Sequence, residues 1–539
     1  IQAQGRLKTP EEFGDTIIRA KQSGNFVRLN DIATIELGAE DYSTKAQLNG
    51  KDTAFLVIYQ LPDANATEVA TLVKAEIEKL SERFPDGLEY EIPYDTTEFI
   101  FRSMEEVKVT LFQAIALVIL VVFLFLQNWR ATIIPTLAIP VSLVGTFAFM
   151  LLMGYSINTI TLFGLVLAIG IVVDDAIIVI ENVERILKEE KLPIKEAVTK
   201  AMEQVSGPII ATTLVLLAVF VPVGFMPGIT GELYRQFSMT ISFAVIISSI
   251  NALTLSPALC TVLLSEKNMK PIKWLQPMER LIEKMTGGYT AAVNFLLKRV
   301  LRVGLFVGLI FIAAGWLKIN VPTAFLPAED QGYLFVDIQL PDASSSNRTN
   351  SVMSDIVPII LADPAVDDII TVGGFSLIGG PGSNNGLAII ILKDWNERTT
   401  PELGLKQVIP RLFGQLWSMP EAQIMVFNPP PIPGLGTSSG FEFQLQDSEG
   451  RDPAQLAQVL NGLIYEANQN PGLNRVFSTF RANVPQYFLE VDRNKVKAQG
   501  VALSDVFATL QAQLGSMYIN DFSQFGRTYK VTIQAQTEF

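Results

Sequence analysis

The sequence has no histidine and only one cysteine, Cys260, among its 539 residues. The absence of histidine excludes histidine-ligated metal sites, histidine general bases and the Ser-His-Asp triad. A single cysteine cannot form a disulfide within the chain, and Cys260 is predicted to pack as a small apolar residue. The phosphate-binding pattern GxxxxGK followed by Ser or Thr is also absent, which argues against direct use of ATP by this chain.

Charge is scarce as well. Only 18% of the residues are charged, whereas 49% are hydrophobic, which is more apolar than an ordinary soluble enzyme and indicates membrane segments. The formal net charge is −13, and an acidic chain is a poor match for nucleic acid as the main partner.

Several long runs contain no charged residue at all. A membrane-spanning helix needs about 20 mostly apolar residues, and by that measure the runs predict six spans. They lie near residues 107–127, 132–153, 158–180, 207–227, 238–264 and 302–320.

Lysine and arginine are concentrated in two links between these runs, residues 181–203 and 266–302. Basic links face the cytoplasm, and an even number of spans then places residues 1–100 and 325–539 together on the other side. In the second link, apolar residues from Met278 to Met285 recur at helical spacing. They predict a helix on the inner membrane surface, with a soluble linker helix as the alternative.

Three segments outside the spans share a strand-turn-helix order: residues 53–80, 332–357 and 441–464. The pentapeptide QLPDA occurs in the first two, and Asn65 and Asp452 are predicted helix caps. The pattern predicts repeated α+β subdomains beside a helical membrane bundle.

Two adjacent acids, Asp174 and Asp175, interrupt the apolar run LAIGIVVDDAIIVIENVERI. Desolvation and mutual repulsion both disfavour their charged forms, so we expect at least one of them to hold a proton near neutral pH. Such acids mark proton pathways by default; an acid pair that reaches water through a cavity is the structural alternative. An aspartyl-protease dyad fits poorly, because neighbours on one helix point about 100° apart.

Two further segments have open interpretations. The glycine-rich stretch TVGGFSLIGGPGSNNG, residues 371–386, is either a mobile surface loop or a flap whose Phe375 and Leu377 touch an apolar ligand. Alternation in FEFQL places Phe441, Phe443 and Leu445 on one face of a strand, for which core packing is the default interpretation.

Longer motifs then follow one another along the chain: LFLQNWRATIIPTLAIPV, SINTITLFGLVLAIGIVVDDAIIVIENVERI, GELYRQFS, SPALC, FLPAEDQG and LKDW. Together they closely resemble the resistance–nodulation–cell division (RND) transporters, in particular the hydrophobe/amphiphile efflux subfamily of AcrB-like multidrug pumps. The resemblance covers essentially the whole chain and corresponds to the central portion of such a pump. We therefore expect the chain to be a piece of a longer polypeptide.

The resemblance implies a proton/drug antiporter subunit in the bacterial inner membrane, a secondary transporter and not an enzyme. It implies a homotrimer that joins a periplasmic adaptor protein and an outer-membrane channel into a tripartite multidrug efflux pump. The substrates are amphiphilic or hydrophobic small molecules, the surroundings are membrane lipid, and the proton-motive force serves in place of any cofactor. No metal site and no nucleic-acid partner are implied.

The resemblance also assigns site residues. Asp174 and Asp175 match the proton-carrying pair, and Phe375 and Leu377 fall on the switch loop. The residues that fall on the family's deep drug pocket are Tyr94, Ile370, Val372 and Ile389. Those that fall on its access pocket are Phe441, Phe443 and Leu445.

The implied fold is an all-α transmembrane bundle plus periplasmic α+β porter subdomains of repeated βαβ type, ferredoxin-like. The expected order begins with an amino-terminal porter part at 1–100, followed by transmembrane helices two to six at 101–265. The cytoplasmic-face amphipathic helix at 266–301 and transmembrane helix seven at 302–322 come next. Two carboxy-terminal porter subdomains at 323–436 and 437–492 and the start of a docking subdomain at 493–539 follow.

One departure from the family is large. The family's proton relay includes a lysine on a later transmembrane helix, and no predicted span here has a Lys or Arg at that depth. We therefore expect that this chain does not transport by itself. Two alternatives stay open: a non-pumping or lipid- or sterol-handling relative, and a heavy-metal efflux member of the same superfamily.

Overall fold

The computed structural model describes the chain from residue 5 to residue 536, except residues 22–23, 40–41, 62–63, 265–275, 323–325, 327–328, 433–435, 437–439, 441, 451, 474–475 and 485–486. The chain divides into two compact units. One comprises Ile1–Ile58 with Leu326–Phe539, and the other comprises Tyr59–Phe325.

The chain begins with short elements. They are helix α1 (Pro10–Gly14) and strands β1 (Ile17–Ala20), β2 (Phe26–Arg28), β3 (Lys45–Leu48) and β4 (Lys51–Asp52). Strands β1 and β2 form a separate antiparallel pair, whereas β3 and β4 lie at one end of the main sheet described below.

The strand predicted at the start of residues 53–80 does not form. A strand exists only where backbone groups pair with a neighbour, and the described residues between 53 and 61 join no sheet. Their apolar side chains stay exposed, with Tyr59 at 88%. The helix that follows is confirmed as α2 (Ala66–Ser81), and the Asn65 side chain caps it by accepting from the amides of Thr67 and Glu68.

Long apolar helices dominate the second unit. They are α3 (Glu98–Leu126), α4 (Trp129–Leu152), α5 (Thr159–Glu189), α6 (Ile194–Val223), α7 (Gly228–Leu253) with α8 (Leu255–Leu263), and α10 (Val300–Asn320). Among the described residues these give six segments long and apolar enough to cross a membrane, which confirms the six long apolar helices that the predicted spans require. The fifth segment breaks between α7 and α8 because Pro257 has no amide to bond to the carbonyl of Leu253.

Helix α5 packs against α3, α4, α6, α7 and α8, so it lies at the centre of the bundle. Small residues allow that close approach. A Cβ atom added to Gly164 would lie only 3.3 Å from the carbonyl oxygen of Phe237 on α7. The spacing between α5 and α7 therefore depends on this glycine.

The helix predicted in the second basic link is present as α9 (Gln276–Leu297). Two of its apolar side chains are largely uncovered: Leu281 is 50% exposed and Met285 is 66% exposed. Trp274, which precedes it, lies outside the described residues.

After the last span comes a mixed segment in the first unit. It runs β5 (Tyr333–Gln339), α11 (Ser346–Leu361), β6 (Val366–Ser376), β7 (Gly380–Leu392), α12 (Leu405–Leu416) and β8 (Gln423–Phe427). The sheet has six strands in the order β4-β3-β6-β7-β5-β8, and all its pairs are antiparallel. The strand-turn-helix order predicted at 332–357 is therefore confirmed by β5 and α11.

The helices α11 and α12 cover one face of this sheet. Alternate residues of β5, such as Leu334, Val336 and Ile338, are fully buried in a cluster with Ile356 of α11 and Leu412 of α12. Because successive strand residues point to opposite faces, the residues between them lie on the second face.

The glycine-rich stretch 371–386 is not a loop, so both loop interpretations were wrong about its backbone. It forms most of the β6–β7 hairpin, in which β6 pairs with β7 from Thr371 opposite Ala388 to Ser376 opposite Gly380. Gly374, with φ +90, sits at a register shift in β6, and a Cβ atom there would come within 2.2 Å of the carbonyl oxygen of Ser43.

The third predicted repeat is only half correct. Helix α13 (Pro453–Gln469) is present, and Asp452 caps it by accepting from the amide of Ala454. No strand forms over residues 442–446, which join no sheet within the described chain. Helices α14 (Arg493–Ala498) and α15 (Leu503–Leu514) and the hairpin β9 (Met517–Gln524) and β10 (Arg527–Ile533) end the chain.

Candidate functional site

The two intramembrane aspartates lie at the middle of α5. The helix starts where Asn158 accepts from the amide of Thr161 while the Thr161 hydroxyl accepts from the amide of Asn158. Neighbouring helical residues point in different directions, and here the two carboxyls have different surroundings. Asp175 is only 9% exposed, whereas Asp174 is exposed in this chain. They cannot share one proton face to face.

Asp175 faces Ser248 on α7. The Ser248 Oγ lies 3.4 Å from Oδ2 of Asp175 and 2.8 Å from the carbonyl oxygen of Val172. A hydroxyl has one proton and two lone pairs, so Ser248 donates to one of these oxygens at a time. When it donates to Val172, it can accept a hydrogen bond from a protonated Asp175.

Other polar contacts tie α7 to its neighbours. The Asn251 Nδ2 donates to the Ser142 hydroxyl on α4 at 2.9 Å, and the hydroxyls of Thr213 on α6 and Ser249 on α7 lie 2.9 Å apart. Sequence analysis missed Ser248 and these partners. The available signal was the polar cluster SSIN within a predicted span.

The ion pairs that the structure describes on α5 lie nearer its carboxyl end. Glu184 contacts Lys188 at 3.3 Å and Glu189 contacts Arg185 at 3.0 Å. Throughout the described parts of the chain, no Lys or Arg nitrogen lies within 4 Å of the carboxylate of Asp174 or Asp175. In the same residues, no group of three or more His, Cys, Asp or Glu side chains could hold a metal ion.

Three predicted drug-pocket residues come together on the second face of the sheet, away from α11 and α12. Ile370 of β6 pairs directly with Ile389 of β7, and Val372 pairs with Leu387. Ile370 is 1% exposed and Ile389 is 6% exposed. The pairing makes this face a continuous apolar strip.

Phe375 and Leu377 lie at the end of the β6–β7 hairpin. Strand β6 ends at Ser376 and β7 begins at Gly380. Phe375 is 36% exposed and Leu377 is half-buried. Phe375 is therefore a residue of β6 next to its end, and Leu377 is the first residue of the turn.

The remaining predicted residues are not brought together in the described structure. Tyr94 is half-buried and precedes α3 in the unit Tyr59–Phe325. In the other unit, Phe443 is 53% exposed and Leu445 is 38% exposed, so the core-packing interpretation of these two was wrong. Phe441 lies outside the described residues.

Two buried acids of the sheet subdomain escaped sequence analysis. Burial raises the pKa of Asp337 on β5, and hydrogen bonds from Ser376 and from the Ile378 and Leu377 amides oppose that rise. Burial would also raise the pKa of Asp363, but hydrogen bonds from Arg411 and the Ala365 amide bring it below its usual value.

Comparison with known proteins identifies the family. Residues 1–539 match the model of the AcrB/AcrD/AcrF family. The chain is 44% identical over 545 residues to the multidrug resistance protein MdtF of Escherichia coli O157:H7, covering 100% of this chain and 52% of that protein. It is 43% identical over 546 residues to the multidrug export protein AcrF of Escherichia coli K12, covering 100% of this chain and 53% of that protein.

A third relative is the toluene efflux pump membrane transporter TtgB of Pseudomonas putida. It is 40% identical over 543 residues, which cover 98% of this chain and 51% of TtgB. The chain thus spans about half the length of these relatives. With six apolar helices and a match along all of its residues, the chain is part of a membrane protein and belongs to the AcrB/AcrD/AcrF family of RND transporters.

Proposed function

We propose that the protein containing this chain is an inner-membrane proton/drug antiporter of a tripartite multidrug efflux pump. The observation that carries the proposal is Asp175, a carboxyl at the centre of a spanning helix, buried against Ser248 on α7. Buried acids in spans are expensive and mark ion pathways. The names of the relatives, which refer to multidrug resistance and toluene efflux, agree with drug export.

The proposed coupling uses the charge of Asp175. Binding a proton removes a charge from the contact between α5 and α7, and the neutral acid can donate to Ser248 while Ser248 donates to Val172. Loss of the proton leaves a buried anion whose contact with the Ser248 hydroxyl is as long as 3.4 Å. Because the two states favour different surroundings, proton binding shifts the helix arrangement. Asp174, on a different side of α5, is the second carrier.

The proposed substrate surface is the second face of the sheet. Ile370, Val372 and Ile389 give it an apolar strip, and Phe375 and Leu377 stand at the hairpin end. Apolar walls with a few polar groups suit amphiphilic compounds. The deep-pocket role of Tyr94 and the access-pocket role of Phe441, Phe443 and Leu445 belong to the same proposal.

The proposed setting is the bacterial inner membrane, with residues 1–100 and 325–539 in the periplasm and α9 on the cytoplasmic surface. The uncovered apolar side chains of α9, including Leu281 and Met285, support a membrane-surface position. We also propose the homotrimer, the periplasmic adaptor and the outer-membrane channel as partners. The β-α-β-β-α-β order from β5 to β8, with β8-β5-β7-β6 as neighbours, supports a ferredoxin-like subdomain.

The test uses the full-length transporter that contains these residues, reconstituted in proteoliposomes with an imposed pH gradient. Asp175→Asn and Asp174→Asn keep size and polarity but cannot carry a proton. Each should abolish gradient-driven export of a fluorescent amphiphile, because no charge is left to neutralise. Binding of the same compound, measured separately, should persist.

Glu189→Gln serves as the matched control, since it removes an exposed acid from the same helix and should leave export unchanged. Full gradient-driven export by the double Asp174→Asn, Asp175→Asn variant would falsify the proton-carrier role.

A further inference from the structure

Asp337 occupies an unusual place in the sheet. It is only 4% exposed and lies on β5, directly across from Leu387 of β7 and Met425 of β8. Its side chain is on the second face, between two apolar neighbours. A carboxylate buried there needs hydrogen-bond donors.

The donors come from the end of the β6–β7 hairpin. The Ser376 hydroxyl donates to Oδ1 of Asp337. The same Ser376 oxygen accepts from the amide of Gly379 at 2.7 Å and from the amide of Ile378 at 3.1 Å. The carboxylate is thus connected to the backbone of the turn through the Ser376 hydroxyl, in addition to the Leu377 and Ile378 amides.

This link skips a strand. The order is β6-β7-β5, and neighbouring strands lie about 4.8 Å apart, so Ser376 must reach across β7 to contact β5. The hairpin end is therefore bent over the second face of the sheet. Asn385 of β7 lies beneath the bend, and its Nδ2 donates to the carbonyl oxygen of Gly380 at 3.0 Å.

Backbone freedom at two glycines permits the bend. Gly374 has φ +90 and Gly380 has φ +75, values that favour glycine. These glycines allow the backbone to bend but do not by themselves stabilise one bent conformation over others. The bent conformation is stabilised by side chains that form hydrogen bonds with the turn, among them Asp337, Ser376 and Asn385.

We propose that Asp337 and Ser376 form a latch that holds the β6–β7 hairpin end in its bent conformation. The latch positions Phe375 and Leu377 beside the apolar strip of Ile370 and Ile389. Asp337 is a positioning residue: it acts on ligands through the hairpin end, where Phe375 lies next to the end of β6 and Leu377 begins the turn. Its effect on substrate choice rests on the proposed function, whereas its effect on the turn does not.

The first test is hydrogen exchange, followed by mass spectrometry, on the purified full-length protein. Asp337→Ala and Ser376→Ala each remove one half of the latch, and exchange at the amides of residues 377–380 should speed up roughly tenfold or more, because a hydrogen bond to a charged group is lost. Asp337→Asn keeps an acceptor for the Ser376 hydroxyl and should give a smaller increase.

Asp363→Asn is the matched control. Asp363 is another buried acid of the same subdomain, bonded to Arg411 and not to the hairpin. Because it weakens the subdomain as a whole and not the hairpin end, it should raise exchange at residues 377–380 no more than at amides elsewhere in the sheet. Wild-type exchange in both alanine variants, or an equal increase in Asp363→Asn, would overturn the latch.

The second test compares resistance to rhodamine and to toluene in cells that express the same variants. If Phe375 and Leu377 contact ligands, Asp337→Ala and Ser376→Ala should change the ratio of the two resistances in the same direction as Phe375→Ala. If exchange in the turn becomes faster while the ratio of the two resistances stays the same, the latch is supported and the contact between the hairpin and ligands is not. Failure of the latch can therefore be told apart from failure of the proposed function.

Discussion

Three aspartates of this chain are buried in three different ways. Asp175 lies in a span beside one serine at 3.4 Å. Asp337 is held by a hydroxyl and by amides of a turn. Asp363 accepts from Arg411 through both carboxylate oxygens, from Nε at 2.6 Å and from Nη2 at 2.7 Å. The first arrangement leaves room for proton exchange, whereas the third fixes the charge.

A pH-dependent loss of stability is expected from the Asp363–Arg411 pair. Because the pKa of Asp363 lies below its usual value in the folded state, its stabilising effect is present above the ordinary carboxyl pKa of about 3.9 and is lost as pH falls through the folded pKa. At pH 7, Asp363→Asn should lower the stability of this subdomain by about 1–2 kcal/mol, a reduced figure because Arg411 is partly exposed.

Thermal unfolding of the full-length protein, measured from pH 7 downwards, tests this expectation. The difference between wild type and Asp363→Asn should shrink as the solution becomes acidic. Asp355→Asn, which changes an exposed acid of α11, should show no difference at any pH. If the difference in unfolding temperature between wild type and Asp363→Asn widened at low pH, the expected direction of the pH dependence would be wrong.

At the residue scale, a functional acid could be recognised from the sequence only where the residues beside it made its charge exceptional. Asp174 and Asp175 were evident because a charge in a long apolar run has no ordinary explanation. Asp337 was not, since strands facing water on one side often carry an acid at alternate positions. Its partner Ser376 is 39 residues away, and only the strand order shows that they meet.

At the element scale, helices followed the sequence better than strands. Apolar runs fixed the spans because every backbone group must bond internally in lipid, and the caps at Asn65 and Asp452 were local patterns. Strands depend on distant partners. The amide of Ile369 bonds to the side chain of Asn49, 320 residues away along the chain, and no local pattern announces that pairing.

Packing between α5 and α7 gives a prediction at this scale. Gly164→Leu would push against Phe237, whose carbonyl oxygen lies 3.3 Å from the position of an added Cβ atom. The two helices should separate, which would weaken the bundle by about 1–3 kcal/mol and move Ser248 away from Asp175. The yield of folded full-length protein should fall, and export driven by a pH gradient should fall further.

Gly207→Leu is the control for that experiment. Gly207 lies on α6, and no atom lies within 4 Å of the position of its Cβ among the described residues. Its yield and export should match wild type. Normal export by Gly164→Leu would show that the α5–α7 spacing is not needed for coupling.

At the scale of the whole molecule, the chain alternates between two solvents. Residues 59–325 contain the apolar helices, and the segments on either side of them belong to the other unit. Composition could predict this division because charges are excluded from the spans. It could not predict that β3 and β4, before the spans, join the same sheet as β5 to β8, after them. A shared sheet requires the two segments to lie together, which agrees with the prediction that both emerge on one side of the membrane.

Thiol labelling of the full-length protein tests this sidedness. In a protein otherwise free of cysteine, with Cys260 replaced by Ala, Ser383→Cys places one thiol at an exposed position of β7. Lys195→Cys places one at an exposed position near the start of α6, in the first basic link.

Since basic links face the cytoplasm, a membrane-impermeant reagent should label Ser383→Cys in cells whose outer membrane alone has been permeabilised. Lys195→Cys should react only after the inner membrane is lysed. The reverse pattern would invert the topology, and labelling of both sites from outside would mean that the number of spans between them is not odd.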